Sequence, residues 1–168
     1  MTGADIIDVH LAIDAVGGEG QFEAVPAVPV GEGHYKILAS PGFAPGTAAG
    51  DVIELDPNRK GHFRVVERSG NLCIQVFFVN ADMEERKRVL DRSTAKVRAI
   101  GGWLDGGKDV ANSHLIIYTI PVTSGFPEVE RVMNEISKEP TFATWMFGNV
   151  YAEDGVTPLN WWAISIAA

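Results

Sequence analysis

Apolar and polar residues alternate in short stretches through the first part of the chain, and longer apolar runs separated by two segments of helical period follow. The segment 6–14 (IIDVHLAID) is rich in β-formers and ends at GGEG (17–20), a turn. QFEAVPAVPV (21–30) is punctuated by prolines and reads as a link. HYKILA (34–39) places Tyr35, Ile37 and Ala39 on one face of a strand. SPGFAPGTAAG (40–50) has no period and reads as a loop. GDVIEL (50–55) and HFRVVE (62–67) form two strands around the turn DPNRKG (56–61), a hairpin, and Ser69-Gly70-Asn71 turns the chain again. Short strands at this spacing predict a small β-barrel-like sheet over residues 1–70.

From residue 72 the pattern changes. LCIQVFFV (72–79) is a strongly apolar strand. Asp82 is the N-cap of a helix, with Glu85 at the reciprocal capping position. Met83, Leu90, Thr94 and Val97 fall near one face of that helix and charge occupies the other. AIGGWL (99–104) reads as a short strand bulged at Gly101-Gly102, and Asp105-Gly106-Gly107 turns it towards HLIIYTIPV (114–122). Pro127 opens a second helix, because its missing N–H costs nothing in a first turn. Val129, Val132, Met133 and Ile136 keep helical spacing until Pro140 stops the run, and TFATWMFGNVY (141–151) is the last strand.

The predicted fold class is therefore α+β. A β-rich unit (1–70) precedes a ferredoxin-like β-α-β-β-α-β half (71–153), in which two helices cover one face of a four-stranded sheet. The apolar tail (154–168), where Trp162, Ile164 and Ile166 alternate, is expected to dock on the body as an extra strand.

Charge narrows the functional classes. The net charge is -8, from 14 basic and 22 acidic residues, and a chain so balanced repels a phosphate backbone. Arg86, Lys87, Arg88 and Arg92 are interleaved with Glu84, Glu85 and Asp91, the pattern of a solvated helix face. Phe77, Phe78, Trp145 and Phe147 suit base stacking by type, but in this acidic setting they read as core. The lone Cys73 forms no intrachain disulfide, which fits a reducing compartment. No Lys or Arg precedes the first apolar stretch, as a signal peptide would require, and no apolar run approaches the ~20 residues that span a bilayer. The expectation is a cytoplasmic protein with neither nucleic acid nor membrane as partner.

Two stretches, FAPGTAAGDVIEL (43–55) and VVERSGNLCIQV (65–76), together resemble the bacterial family known as domain of unknown function 4265. Its pattern is an aromatic-containing loop, a Gly-Asp-Val-Val-like strand, and a Ser-Gly turn before an apolar strand. The resemblance spans residues 8–151 and departs at Leu72-Cys73, where it leads one to expect small hydroxyl residues. It implies a fold rather than an activity.

No catalytic, cofactor or metal set emerges from the residues. Cys73 lies in an apolar strand, where a thiol behaves as a small hydrophobe. His10, His34, His62 and His114 form no i, i+4 pair and accompany no zinc motif, although the first three all lie in or beside strands of the β-rich unit. The glycine-rich pieces at 17–20 and 101–107 match no phosphate loop. Asp51, Glu54 and Asp56 are the densest carboxylate group, and they read as the polar positions of a half-exposed strand. Asp51, Glu54, His34 and His62 are the candidate contacts for a partner or ligand.

Acidity without a catalytic set points to a non-enzymatic protein-binding protein, of the immunity type that neutralises a basic bacterial toxin through complementary charge. The alternative is a small-molecule-binding protein or enzyme with its site in the cleft between the two halves, where pockets concentrate.

Overall fold

The computed structural model describes residues 3–13 and 20–163. Most of the GGEG turn, and Ile164 and Ile166 of the expected tail strand, lie outside the described residues.

The first sheet is an antiparallel meander of β1 (Ile7–Ala12), β2 (Phe22–Gly31), β3 (His34–Ile37), β4 (Val52–Leu55) and β5 (Phe63–Glu67), in that order. Val9, Leu11, Val25, Ala27, Ile37 and Ile53 alternate onto its buried face. The expected barrel does not close, for β1 and β5 remain edges and no ladder joins them among the described residues. The inner face is capped by Ala44 from the loop that follows β3, so closing the sheet on itself is not needed to bury it.

The segment 21–30, expected as a link, is β2, the longest strand of this sheet. Both prolines sit in the ladders, Pro26 opposite Asp8 of β1 and Pro29 opposite Tyr35 of β3, but near the ends of those pairings. Pro26 accepts a hydrogen bond from the Leu38 N–H (2.8 Å) just past the end of β3, and the register breaks between Pro29 and Gly31.

The second sheet comprises β6 (Asn71–Val79), β7 (Trp103–Val110), β8 (Ser113–Pro121) and β9 (Phe142–Phe147), antiparallel in the order β7-β8-β6-β9. Helix α1 (Met83–Arg98) follows β6 and helix α2 (Phe126–Ile136) follows a short helical turn after β8. Asp82 caps α1 as its position predicts, accepting from the Glu85 N–H at 2.9 Å. The buried stripe of α1 is Val89, Ser93, Thr94 and Val97. Met83 shares that face by spacing but, as the first residue of α1, is 77% exposed, contrary to its expected place on the inner face. In α2, Val129, Val132, Met133 and Ile136 are all buried as their spacing predicts.

Asp105-Gly106-Gly107, expected as a turn, lies inside β7. The register slips between Leu104 and Gly106, and the true turn is Ala111-Asn112, with Ala111 at a φ of 51°. Gly107 serves packing here, since a Cβ on it would come within 3.2 Å of the His114 ring and Ile116. The tail also differs from expectation, because Trp161 to Ala163 are helical, which overturns the strand reading at Trp162. Trp161 is nonetheless buried, donating Nε1–H to the Asn149 carbonyl at 2.8 Å, and Trp162 packs edge-on against Phe126.

β8 explains why its sequence is apolar at consecutive positions: both its faces are covered. Ile116, Tyr118 and Ile120 face the helices, while Leu115 and Ile117 face Ala48 and Phe43 of the loop at residues 40–51. That loop runs through the interior between the sheets, so its polar groups need partners from protein rather than water. The Glu23 carboxylate, on the buried face of β2, accepts the N–H groups of Gly42 (2.7 Å), Phe43 (2.9 Å) and Ala44 (2.9 Å), and pairs with Lys108 of β7. Gln75 donates to the Gly42 carbonyl (2.8 Å), Ser40 Oγ accepts the Ala49 N–H (2.9 Å), and Gly46 N–H donates to the Gly148 carbonyl (2.8 Å). Gly42 passes so close to the second sheet that a Cβ would lie 2.9 Å from Ile117.

Replacing Glu23 by Ala strands three amides and a partly buried ammonium. Stability is expected to fall by about 3–5 kcal/mol, read by urea unfolding monitored through tryptophan fluorescence. A loss below about 0.5 kcal/mol, the level of an ordinary surface change, would mean the loop holds without the carboxylate.

Candidate functional site

A mainly apolar cleft of about 360 Å³ lies where the first sheet meets the C-terminal segment. Ala12 and Ile13 at the end of β1, Phe63 and Val65 of β5, and Pro45-Gly46 of the buried loop form one side; Tyr151, Ala152, Glu153 and Leu159 form the other. Tyr151 is held there by its bridge to Pro158 and by the burial of Trp161 a few residues on. The walls are mainly apolar, with His62, Glu153 and Arg68 as the charged or polar groups.

Arg68 lies one residue past β5, and its side chain is 24% exposed. Nη1 donates to the Gly46 carbonyl at 2.7 Å and stands 3.5 Å from Asp51 Oδ2. Its guanidinium carbon lies 5.5 Å from the centre of the Trp161 ring. Burial lowers the Arg68 pKa against the opposing pull of Asp51. Asp51 itself is buried and already engaged, accepting the Ser69 N–H (2.8 Å) and hydroxyl (2.9 Å), the Ala48 N–H (3.0 Å) and the Thr47 hydroxyl (3.1 Å).

The residues singled out by sequence divide accordingly. Asp51 is an interior acceptor. His34 and Glu54 face each other across β3 and β4, with Nε2 and Oε1 3.9 Å apart, and Glu54 also pairs with Arg64. His62 lines the cleft and, with Glu54, Arg59 and Arg64, a more polar depression beside it. Asp56 accepts the Asn58 N–H at 2.8 Å and holds the hairpin turn. No group of three His, Cys, Asp or Glu among the described residues is placed to hold a metal. Cys73 is buried with its thiol 3.4 Å from the Pro41 carbonyl, and burial pushes its pKa up. Arg68 and the 151–159 wall escape sequence reading: Arg68 is one charged residue in a turn, and the wall joins it only through the fold.

A family described as Domain of unknown function (DUF4265) matches residues 23–144. That match covers most of the chain, and the chain belongs to this family. Among solved structures, a hypothetical protein from Neisseria gonorrhoeae is similar at 15% identity with a TM-score of 0.54, over 88% of this chain and 96% of that one. At that identity the likeness concerns the fold alone. No curated protein matches the chain, and among the described residues no helix is long and apolar enough to cross a membrane.

Behind the loop a chain of hydroxyls ends on a carboxylate. Ser40 Oγ, having accepted the Ala49 N–H, lies 2.6 Å from Thr119 Oγ1, and Thr119 donates to Asp105 Oδ2. Trp103 Nε1–H reaches Asp105 Oδ1 at 3.2 Å. Burial dominates these donors and raises the Asp105 pKa to about 6. Between the ordinary carboxylate range and pH about 6, the folded chain holds a proton that the unfolded chain has released. The contribution of Asp105 to stability is therefore greatest on the acid side and declines as pH rises through that window. Relative to Asp105→Asn, which cannot titrate, the native chain should lose about 2 kcal/mol between pH about 4 and 6, part-exposure trimming the full effect. Urea midpoints across that range measure it, and a constant difference would contradict the assignment.

Proposed function

We propose that this chain is a small-molecule-binding protein whose site is the cleft between the first sheet and the C-terminal segment. The observation that carries this reading is the cleft itself: about 360 Å³, mainly apolar, with few polar groups converging on it. Its walls come from β1, β5, the buried loop and the 151–159 segment.

A second reading is a non-enzymatic protein-binding protein that neutralises a basic bacterial toxin. Its support is the net charge of -8. The acids of the helices do not gather into one bare face, however: Glu85 pairs with Arg88, Glu128 with Arg131, Glu135 with Lys138 and Glu139 with Arg92.

Two architectural details belong with these proposals. The order β7-β8-β6-β9 with two helices supports a ferredoxin-like second half. The hydrogen bond from the Ala12 N–H to the Gly61 carbonyl (2.9 Å) draws the end of β1 towards the turn before β5 and supports a barrel-like curl. A cytoplasmic location is supported by the single reduced cysteine.

A thermal-shift screen of the purified chain against a metabolite library tests the first reading. A ligand at about a hundred times its Kd adds ~2.7 kcal/mol, several degrees of midpoint at this size. Leu159 is 37% exposed on the cleft wall, so Leu159→Trp should fill the cleft without unfolding the chain and abolish the shift. A hit indifferent to Leu159→Trp would place binding elsewhere. No hit, together with a basic protein retained stoichiometrically and released by salt, would favour the second reading.

A further inference from the structure

We propose that the ligand of this cleft is a small anion, with one carboxylate or phosphate head held by Arg68 and an aromatic or alkyl body lying on Phe63, Val65, Tyr151 and Leu159. The inference rests on the cleft reading and adds the chemistry that selects the ligand.

The guanidinium is anchored on one side only. Nη1 is used by the Gly46 carbonyl and, at 3.5 Å, by Asp51, while Nε and Nη2 donate to no described residue. Neither is sealed from solvent, so each is hydrated until a ligand oxygen takes the place of water. Asp51 supplies the nearest negative charge but meets Nη1 alone, its four shorter hydrogen bonds coming from neutral donors. The Trp161 ring beside the guanidinium and the Gly46 carbonyl hold its plane in place, so the open fork is pre-oriented.

The acceptor that matches such a fork is planar or tetrahedral oxyanion oxygen, taken two at a time. A neutral ligand satisfies the apolar wall but offers the fork a weaker acceptor than an oxyanion, and a cation opposes it. Glu153 on the exposed rim acts against a second negative charge at the mouth, which confines the anionic group to one end of the ligand.

Calorimetric titration of the full chain with phenylbutyrate, phenyl phosphate and the neutral phenylbutyramide tests the inference without any substitution. At least one anion should bind about tenfold or more tightly than the amide, and its affinity should fall with added salt. Whichever anion binds more tightly tells a carboxylate ligand from a phosphate one. Arg68→Lys keeps the charge but not the fork and should weaken that anion by about tenfold, with circular dichroism confirming the fold. Equal affinity for amide and anions, abolished by Leu159→Trp, would overturn the anion assignment and leave the cleft reading intact. Failure of all three probes to bind would overturn the assignment too, and the library screen then decides separately whether the cleft binds anything.

Discussion

The carboxylate of Glu23 stands where two sheets and an irregular loop meet, and the fold depends on what it accepts there. A loop in the interior presents amides that no ladder satisfies. Glu23 takes three consecutive ones and offsets its remaining charge with Lys108 from the other sheet. Burial alone would raise the pKa of this carboxyl, but Lys108 and the amides of Ala44, Gly42 and Phe43 outweigh it and hold the group below the usual range. One side chain thus ties β2, the loop and β7 together. Asp51 does the same at the far end of the loop, through Ala48, Thr47 and Ser69.

The cleft is a consequence of that arrangement. The loop surfaces at Pro45-Gly46 between its two carboxylate anchors, and this exposed elbow is the part that borders the cleft. Arg68 is fixed by the elbow's own carbonyl and by Asp51, so the group proposed to meet a ligand is positioned by the same network that joins the sheets. The opposite wall has its own anchor: Trp161 is buried against the body and tied to Asn149, whose side chain accepts the Cys73 N–H and donates to the Asn71 carbonyl. Membership of the DUF4265 family covers residues 23–144, which includes the loop and Arg68 but not the 151–159 wall.

Periodicity read the helices correctly because each buries one face, and the unbroken apolar runs marked β6 and β8, which are covered on both. The Asp82 cap and the α2 stripe were legible for that reason. It failed where a local signal was outweighed by tertiary packing. Pro26 and Pro29 suggested a link, yet both are paired within β2, each near the end of its ladder. Gly106-Gly107 suggested a turn, yet β8 side chains fill the space a Cβ would take at Gly107. The loop at 40–50 was legible as a loop but not as buried, since small residues and glycine describe close packing and flexibility equally well. Of the candidate site residues, His62 lies in the cleft, while His34 and Glu54 form a cross-strand pair and Asp51 lies inside; Arg68 carried no sequence signal beyond its charge.

Native-state hydrogen exchange at the amides of Gly42, Phe43 and Ala44 tests the central claim most directly. These residues belong to no helix or strand. If the Glu23 carboxylate holds them as part of the interior, they exchange with opening free energies within about 1 kcal/mol of β6 and β8, the most buried strands. Exchange at the rates of a surface loop would mean that the segment opens on its own. The two sheets would then be joined by something other than this loop.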